Sequence, residues 1–439
     1  MKSLANHQRS ILAIMDDMPV LGIFAEAGTG KTMIALSYIH EHLLSGDIDN
    51  ALVICPASII PSWRLAIENM VDFGYDDLDV EMVRDAVTIS SYQMIWKANG
   101  TKRGYKQYAI RDNLDRQWDV VFVDESHRLG DPKSVQTKTA LKLALKCKRR
   151  YIMTGTPDSG NYVKLYGQMK FLDPDLWKSY RDFDLRYVIT HDHFKRPVRF
   201  DIPALESLKR SYGVVARLRE CYDMPSMTET DYPVEHGSRA VYKDFINNDV
   251  SKYGMDIKMA GTGVLKALQT CSGFYLDDEK NVHDLGTAKT DVLMTIIEST
   301  DDKLVVFCEY RASIDRIDAL LTKRKISHFI YDGRTDEPYW KDFQKDDTRV
   351  FVAQYQRGSE GIDLFAACRM VFYETTKSAY LLEQAKARIM RKGQTMPCSY
   401  YYIYSEDTVE EKMMRSVRNG VDVSRKMLDD WAIDERKRA

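Results

Sequence analysis

The octapeptide Ala25-Glu-Ala-Gly-Thr-Gly-Lys-Thr32 constrains the fold of this chain more than any other segment. It follows the apolar run Val20-Leu-Gly-Ile-Phe24 and precedes a helical pattern that begins at Met33. Strand, glycine loop and helix in that order form a phosphate cradle. The glycines let backbone N–H groups turn toward a polyphosphate, and the positive end of the helix adds to the attraction. On this reading Gly28, Thr29 and Gly30 line the phosphates, Lys31 reaches the β- and γ-phosphates, and Thr32 holds Mg²⁺. The strict pattern carries Gly at position 25, where this chain has Ala. Glycine–lysine turns also start ordinary helices, so the loop asks for a second site.

That second site is Trp118-Asp-Val-Val-Phe-Val-Asp-Glu-Ser-His127. A continuous apolar run reads as a buried parallel strand, which places Asp124 and Glu125 at its C-terminal end. Ligands of open α/β sheets collect there. In nucleotide hydrolases the first acid holds Mg²⁺ and the second orients the attacking water. Two acids at a strand end are unremarkable alone. Downstream of a glycine loop, and followed by His127, they point to ATP hydrolysis.

A chain of 439 residues predicts two or three domains. The net charge of −2 excludes a globally basic protein, so any nucleic-acid surface is a local patch. Seven cysteines, none in a CxxC pair, read as reduced thiols and not as a disulfide frame or zinc site. His191-Asp-His193 and His40-Glu-His42 lack further ligands nearby. The polar N-terminus predicts no signal peptide, and no uncharged run reaches membrane-spanning length. The expectation is a soluble cytoplasmic protein.

Strand-like runs at Leu21–Ala25, Ala51–Cys55, Ala86–Ser90, Val120–Asp124 and Tyr151–Thr154 alternate with helical patterns such as Lys31–Leu44 and Pro61–Met70. This alternation predicts a parallel sheet covered on both faces. A second set holds strands at Leu304–Cys308, His328–Tyr331, Val350–Ala353, Met370–Tyr373 and Ser399–Tyr404. Its helices are expected at Ser313–Thr322, Ala379–Lys392 and Thr408–Asn419. The predicted fold class is therefore α/β, with two similar lobes over 1–175 and 286–439 and a mostly helical basic insert over 176–285. Within that insert Lys195, Arg196, Arg199, Lys209, Arg210, Arg217 and Arg219 outnumber Asp201 and Glu206, a candidate phosphate-contacting patch. Tyr400, Tyr401, Tyr402 and Tyr404 alternate at strand spacing, which favours packing over base stacking.

Several segments together resemble the superfamily-two helicases and, within them, the Swi/Snf-type double-stranded DNA translocases. Leu4-Ala-Asn-His-Gln-Arg9 resembles the adenine-reading segment, with Gln8 as the reader, since an amide both gives and accepts hydrogen bonds. Cys55-Pro-Ala-Ser-Ile-Ile-Pro-Ser-Trp63 and Thr88-Ile-Ser-Ser-Tyr92 are similar to segments that touch the DNA backbone, which implies roles for Pro56, Ser91 and Tyr92. For Trp63, a helix packed on the sheet is the expectation. Asp124-Glu-Ser-His-Arg-Leu129 resembles the acidic box, with Ser in place of the usual Ala or Gln. Arg150-Tyr-Ile-Met-Thr-Gly-Thr-Pro157 looks like the coupling motif, in which Thr154, Gly155 and Thr156 relay with His127. In the second lobe Gln356-Arg-Gly-Ser-Glu-Gly-Ile-Asp-Leu364 is similar to the loop linking DNA to nucleotide, which implicates Gly361 and Asp363. Gln384-Ala-Lys-Ala-Arg-Ile-Met-Arg-Lys-Gly-Gln394 is the most specific match. Its Gln384, Arg388 and Arg391 fall on one face of a predicted helix. The resemblance makes Arg391, with Arg388, arginine fingers and Gln384 a coupling residue.

The resemblance implies two RecA-like lobes, ATP and Mg²⁺ as cofactors, and DNA, double-stranded in preference, as the polymer. Departures are informative. The Trp-Asn-Pro cluster is replaced by Glu374-Thr-Thr-Lys-Ser378, and Asp363 stands where Asn is more usual. The insertions of chromatin remodellers are small or missing, so the expectation is a bare motor of bacterial or phage type, targeted by a protein partner and monomeric by default. A strand-separating or branch-migrating helicase, an RNA-directed motor and a non-catalytic DNA-binding scaffold stay open as alternatives.

Overall fold

The computed structural model describes residues 3–102, 105–158, 161–191, 197–253, 255, 262–335, 337–359 and 362–438. It divides into two units, Met1–Asp223 and Met224–Ala439.

Unit 1 is built on six parallel strands: β1 (Val20–Ala25), β2 (Ala51–Cys55), β3 (Val87–Ser91), β4 (Trp118–Asp124), β5 (Cys147–Met153) and β6 (Gly213–Ala216), in the order β6-β1-β5-β4-β2-β3. Successive side chains of a strand point to opposite faces. On β4 Val120 and Phe122 therefore join one buried cluster, with Ile23, Ile34 and Tyr151. Val121 and Val123 join the other, with Phe24, Leu52 and Leu143. Both faces are dry, which is why the strand reads as an unbroken apolar run. Each such side chain contributes about 1.5–3 kcal/mol of burial.

Unit 2 repeats the plan with β7 (Met227–Val234), β8 (Leu304–Cys308), β9 (His328–Tyr331), β10 (Val350–Gln354), β11 (Arg369–Phe372) and β12 (Cys398–Ser405), all parallel, in the order β7-β12-β11-β8-β10-β9. Tyr400 and Tyr402 are buried in this sheet. The Tyr402 and Phe372 rings stack 4.9 Å apart, so these tyrosines pack the core.

The stretch 176–285 differs from a single helical insert. The chain changes unit at Asp223, and each half of the stretch gives an edge strand to one sheet. β6 is only four residues long and sits among basic residues, so its apolar run resembles a helix face. β7 is polar and carries Pro233, which an edge strand tolerates because one side of its ladder is unpaired. Its Glu229 and Asp231 bind Arg418 at 2.6 and 2.5 Å. Antiparallel hairpins also appear at Trp96–Lys102 with Tyr105–Ile110, Val188–His191 with Pro197–Phe200, and Phe274–Leu276 with Val282–Asp284.

The expected helix Ala379–Lys392 ends at Lys386. The Ala387 N–H bonds back to Ala385 and Glu383, and the Gln394 amide donates to the Ile389 carbonyl at 3.2 Å, which closes the turn without further helix. Among the described residues no helix is long and apolar enough to cross a membrane.

Candidate active site

In unit 1 the glycine loop leaves β1 and delivers its chain into the helix Lys31–Leu44. Gly30 caps that helix at φ 86°, and Gly28 has the same φ, a conformation that glycine adopts without strain. The Lys31 ammonium folds back over the loop, donating to the Ala25 and Glu26 carbonyls at 2.7 and 3.2 Å. Thr32 is the second residue of the helix. Gln8 is buried against the loop. Its amide donates to the Thr29 carbonyl at 3.2 Å and accepts from the Ala5 N–H at 2.8 Å. A Cβ on Gly30 would lie 2.1 Å from the Gln8 amide nitrogen, so these two positions are matched sterically.

Asp124 ends β4, and Glu125 follows in the left-handed region at φ 50°. That backbone costs a non-glycine residue about 1–2 kcal/mol and is held by three hydrogen bonds. The Tyr92 hydroxyl donates to the Asp124 and Glu125 carbonyls at 2.7 and 3.0 Å, and the Glu125 N–H donates to Asp124 Oδ1 at 3.0 Å. The Trp63 indole N–H donates to Asp124 Oδ2 at 2.9 Å. Burial, and then the neighbouring Glu125 carboxylate, push the Asp124 carboxyl up to about 6, opposed by Lys31 and Trp63. A carboxylate crowded in this way fits a cation. A carboxylate and a threonine hydroxyl are the kind of oxygen donors that Mg²⁺ takes alongside phosphate and water.

The residues expected to couple nucleotide and polymer meet the acidic box. His127 Nδ1 lies 3.0 Å from Thr154 Oγ1 and 3.4 Å from Glu125 Oε2, and the Thr154 hydroxyl reaches the same Glu125 oxygen at 3.4 Å. The Thr156 N–H donates to Thr154 Oγ1 at 3.2 Å. A Cβ on Gly155 would have Ala25 O and Glu26 Cα as neighbours at 3.3 Å, so this loop abuts the phosphate loop.

The nucleic-acid candidates fare differently. Pro56 and Ser91 sit at or just beyond the C-terminal ends of β2 and β3, and both are buried. Tyr92 is also buried, and its hydroxyl props the acidic box. Expected at the polymer, the side chain belongs instead beneath the carboxylates, because an apolar ring at a strand end packs inward. Arg199 is exposed on the strand Pro197–Phe200. Lys209 is neutralised by Asp158 and Glu206 at 2.8 and 2.6 Å, and Arg217 pairs with Glu220 at 3.1 Å, which thins the basic patch. Lys195, Arg196 and Gly361 lie outside the described residues.

In unit 2 Arg391 pairs with Asp363. Burial draws its guanidinium down to about 10, so it remains a cation at neutral pH. Arg388 is buried. It donates to the Gln384 carbonyl, Gln384 Oε1 and the Ile362 carbonyl, each at 2.9 Å. Gln384, Arg388 and the loop before Leu364 are thus one assembly, although Arg388 and Arg391 lie past the helix end. The Glu374 carboxylate, in the place of the missing Trp-Asn-Pro cluster, accepts the Glu309 and Tyr310 N–H groups at 2.8 and 3.2 Å, and its other oxygen accepts from Ser313. It caps the start of the helix Arg311–Lys323, where a negative charge is favourable.

Residues 7–224 match the model of the SNF2-related domain, and residues 288–393 match that of the helicase conserved C-terminal domain. The chain belongs to the Swi/Snf-type family. Relatives of this Swi/Snf-type chain include the DNA repair and recombination protein RDH54 of Saccharomyces cerevisiae, 21% identical over 95% of this chain and 51% of its own length. The human DNA annealing helicase and endonuclease ZRANB3 is 22% identical over 88% of this chain and 37% of its own. The chain spans about half the length of the first relative. Among solved structures, the Sulfolobus solfataricus SWI2/SNF2 ATPase core in complex with dsDNA is similar at 20% identity and a TM-score of 0.44, covering 98% of this chain and 92% of that one.

Trp63 was missed as a site residue. It lies on the helix Ile60–Glu68 and packs against the sheet as expected, but a lone Trp does not declare a carboxylate partner.

Proposed function

We propose that this chain is an ATP-dependent DNA motor, which hydrolyses ATP to ADP and phosphate and translocates mainly on duplex DNA. The carrying observation is that the glycine loop, with Lys31 folded over it, and the buried Asp124 both lie at the C-terminal edge of one parallel sheet, in a chain of Swi/Snf type. Gln8 reads adenine, and Gly28, Thr29, Gly30 and Lys31 take the phosphates. Thr32 and Asp124 hold Mg²⁺, which supplies charge neutralisation on the phosphate oxygens when bound. Glu125 orients the attacking water. Following the resemblance, Arg391 with Arg388 is the arginine finger and Asp363 a nucleotide residue, and Arg388 also donates to the Ile362 carbonyl. His127, Thr154, Gly155, Thr156 and Gln384 couple hydrolysis to the polymer, and the exposed Arg199 belongs to the surface that holds it. Such a grip on phosphates is sequence-independent and weakens with salt. The names of the relatives support DNA as the polymer. A cytoplasmic location, nucleoid-associated or in the host cytoplasm if the protein is phage-encoded, and a separate targeting partner complete the reading.

The Lys31→Ala variant tests the nucleotide site. It is expected to bring ATP hydrolysis to background while the melting temperature stays near that of the parent, because the ammonium bonds only loop carbonyls. Normal turnover in that variant would remove this loop from the chemistry.

A further inference from the structure

Thr154–Pro157, the loop read as the coupling element, is held at both ends. At Thr154 it meets Glu125 and His127 directly. At Pro157 it meets a side chain that the family resemblance does not supply. Gln168, fully buried on the helix Lys164–Leu172, donates its amide to the Pro157 carbonyl at 2.6 Å and to the Lys164 carbonyl at 2.9 Å. Its Oε1 accepts from the hydroxyl of Ser126, also fully buried, at 2.8 Å. Ser126 follows Glu125 and opens the one-turn helix Ser126–Leu129. Only a side chain that both donates and accepts can make this bridge. It depends on Ser126, which stands where the family usually has Ala or Gln, and Ala could not make it.

The backbone supports the same contact. At Gly167 a Cβ would lie 2.0 Å from the Leu129 carbonyl oxygen, so the helix backbone lies directly on the turn that ends the acidic box. The box, the helix and the far end of the loop are therefore packed as one block. Displacement of Pro157 pulls on Gln168, and through Ser126 on the residue next to the strained Glu125 backbone. Neither Ser126 nor Gln168 has surface with which to touch nucleotide or polymer.

We infer that Gln168, through Ser126, is a positioning residue that transmits engagement of the polymer from the loop Thr154–Pro157 to Glu125. This rests on the DNA-motor reading above. The test compares ATP turnover with and without linear duplex DNA in the full chain and in Ser126→Ala, Gln168→Met and the double variant. In Ser126→Ala the ratio of DNA-stimulated to basal turnover is expected to fall about 5- to 30-fold, a coupling change of the usual size. Basal turnover stays within about twofold, and the DNA concentration for half-stimulation is unchanged, since a broken link is local. Gln168→Met behaves alike, and the double variant loses no more than Gln168→Met alone, because both act on one bridge. Should Gln168→Met fail to fold, Ser126→Ala alone decides. Strong stimulation of the parent with an unchanged ratio in the folded variants overturns this inference and leaves the motor reading standing, as do losses that multiply in the double variant. A parent that no DNA stimulates overturns the motor reading, and this inference with it.

Discussion

Replacing Arg391 with Ala is expected to lower the ATP turnover number by ~10³–10⁵ while ATP binding persists, the loss that an arginine finger carries. The side chain is poised for that role. It is a partly buried cation whose described partners are Asp363 and the Ile362 carbonyl, so a phosphate competes for it with a single carboxylate. Arg388 is committed differently, with its donors spent on Gln384 and Ile362. The two arginines therefore separate in experiment. Arg391→Lys keeps the charge and loses the planar fork, and is expected to recover little. Binding of a fluorescent ATP analogue, measured beside turnover, checks the split. Unaltered turnover in Arg391→Ala would place the finger elsewhere.

The second large effect concerns stability. Lys289 and Glu410 form an ion pair at 2.5 Å inside unit 2, with side chains 2% and 3% exposed. Lys289 also donates to the Tyr373 carbonyl at 3.2 Å, and Glu410 accepts the Ser405 N–H at 2.9 Å. Burial raises the Glu410 carboxyl, and Lys289 opposes that rise. Removing the lysine alone strands a buried carboxylate, which costs about 3–5 kcal/mol. For a unit of this size Lys289→Met is thus expected to lower the melting temperature of unit 2 by roughly 6–20 °C. The transition of unit 1 stays in place. The pair Lys289→Met with Glu410→Leu, with no stranded charge, is expected to regain most of the loss. Calorimetry on the full chain reads both transitions. An equal loss in single and double variants would show that packing around the stem, and not the charge, is what matters.

The ten strands expected from apolar runs are all present in the two sheets; the inner ones, covered on both faces, cannot hide their composition, and the partly buried edge strands β3 and β9 keep enough apolar residues to show. The edge strands β6 and β7 escaped. One is four residues long, and the other is polar with a proline, as a half-solvated edge permits. Lys31, Asp124 and Glu125 were legible because their spacing from a strand end is local. Trp63 and Tyr92 were not, since their partner is the acidic box, 61 and 32 residues away along the chain. Side chains near a phosphate-contacting segment look alike whether they face the polymer or support the site from beneath. The contacts of Arg388 are hidden in the same way: the helix stops at Lys386, and the turn beyond it sets the guanidinium against Gln384 and the Ile362 carbonyl.

The most direct measurement is ATP hydrolysis by the full chain alone and with linear duplex DNA, single-stranded DNA or RNA, with Glu125→Gln as the inactive control. A DNA motor of Swi/Snf type predicts the largest rise with duplex DNA and none in the control. A larger rise with single strands or forks would favour a strand-separating helicase. Basal turnover that no nucleic acid raises would contradict the DNA motor outright.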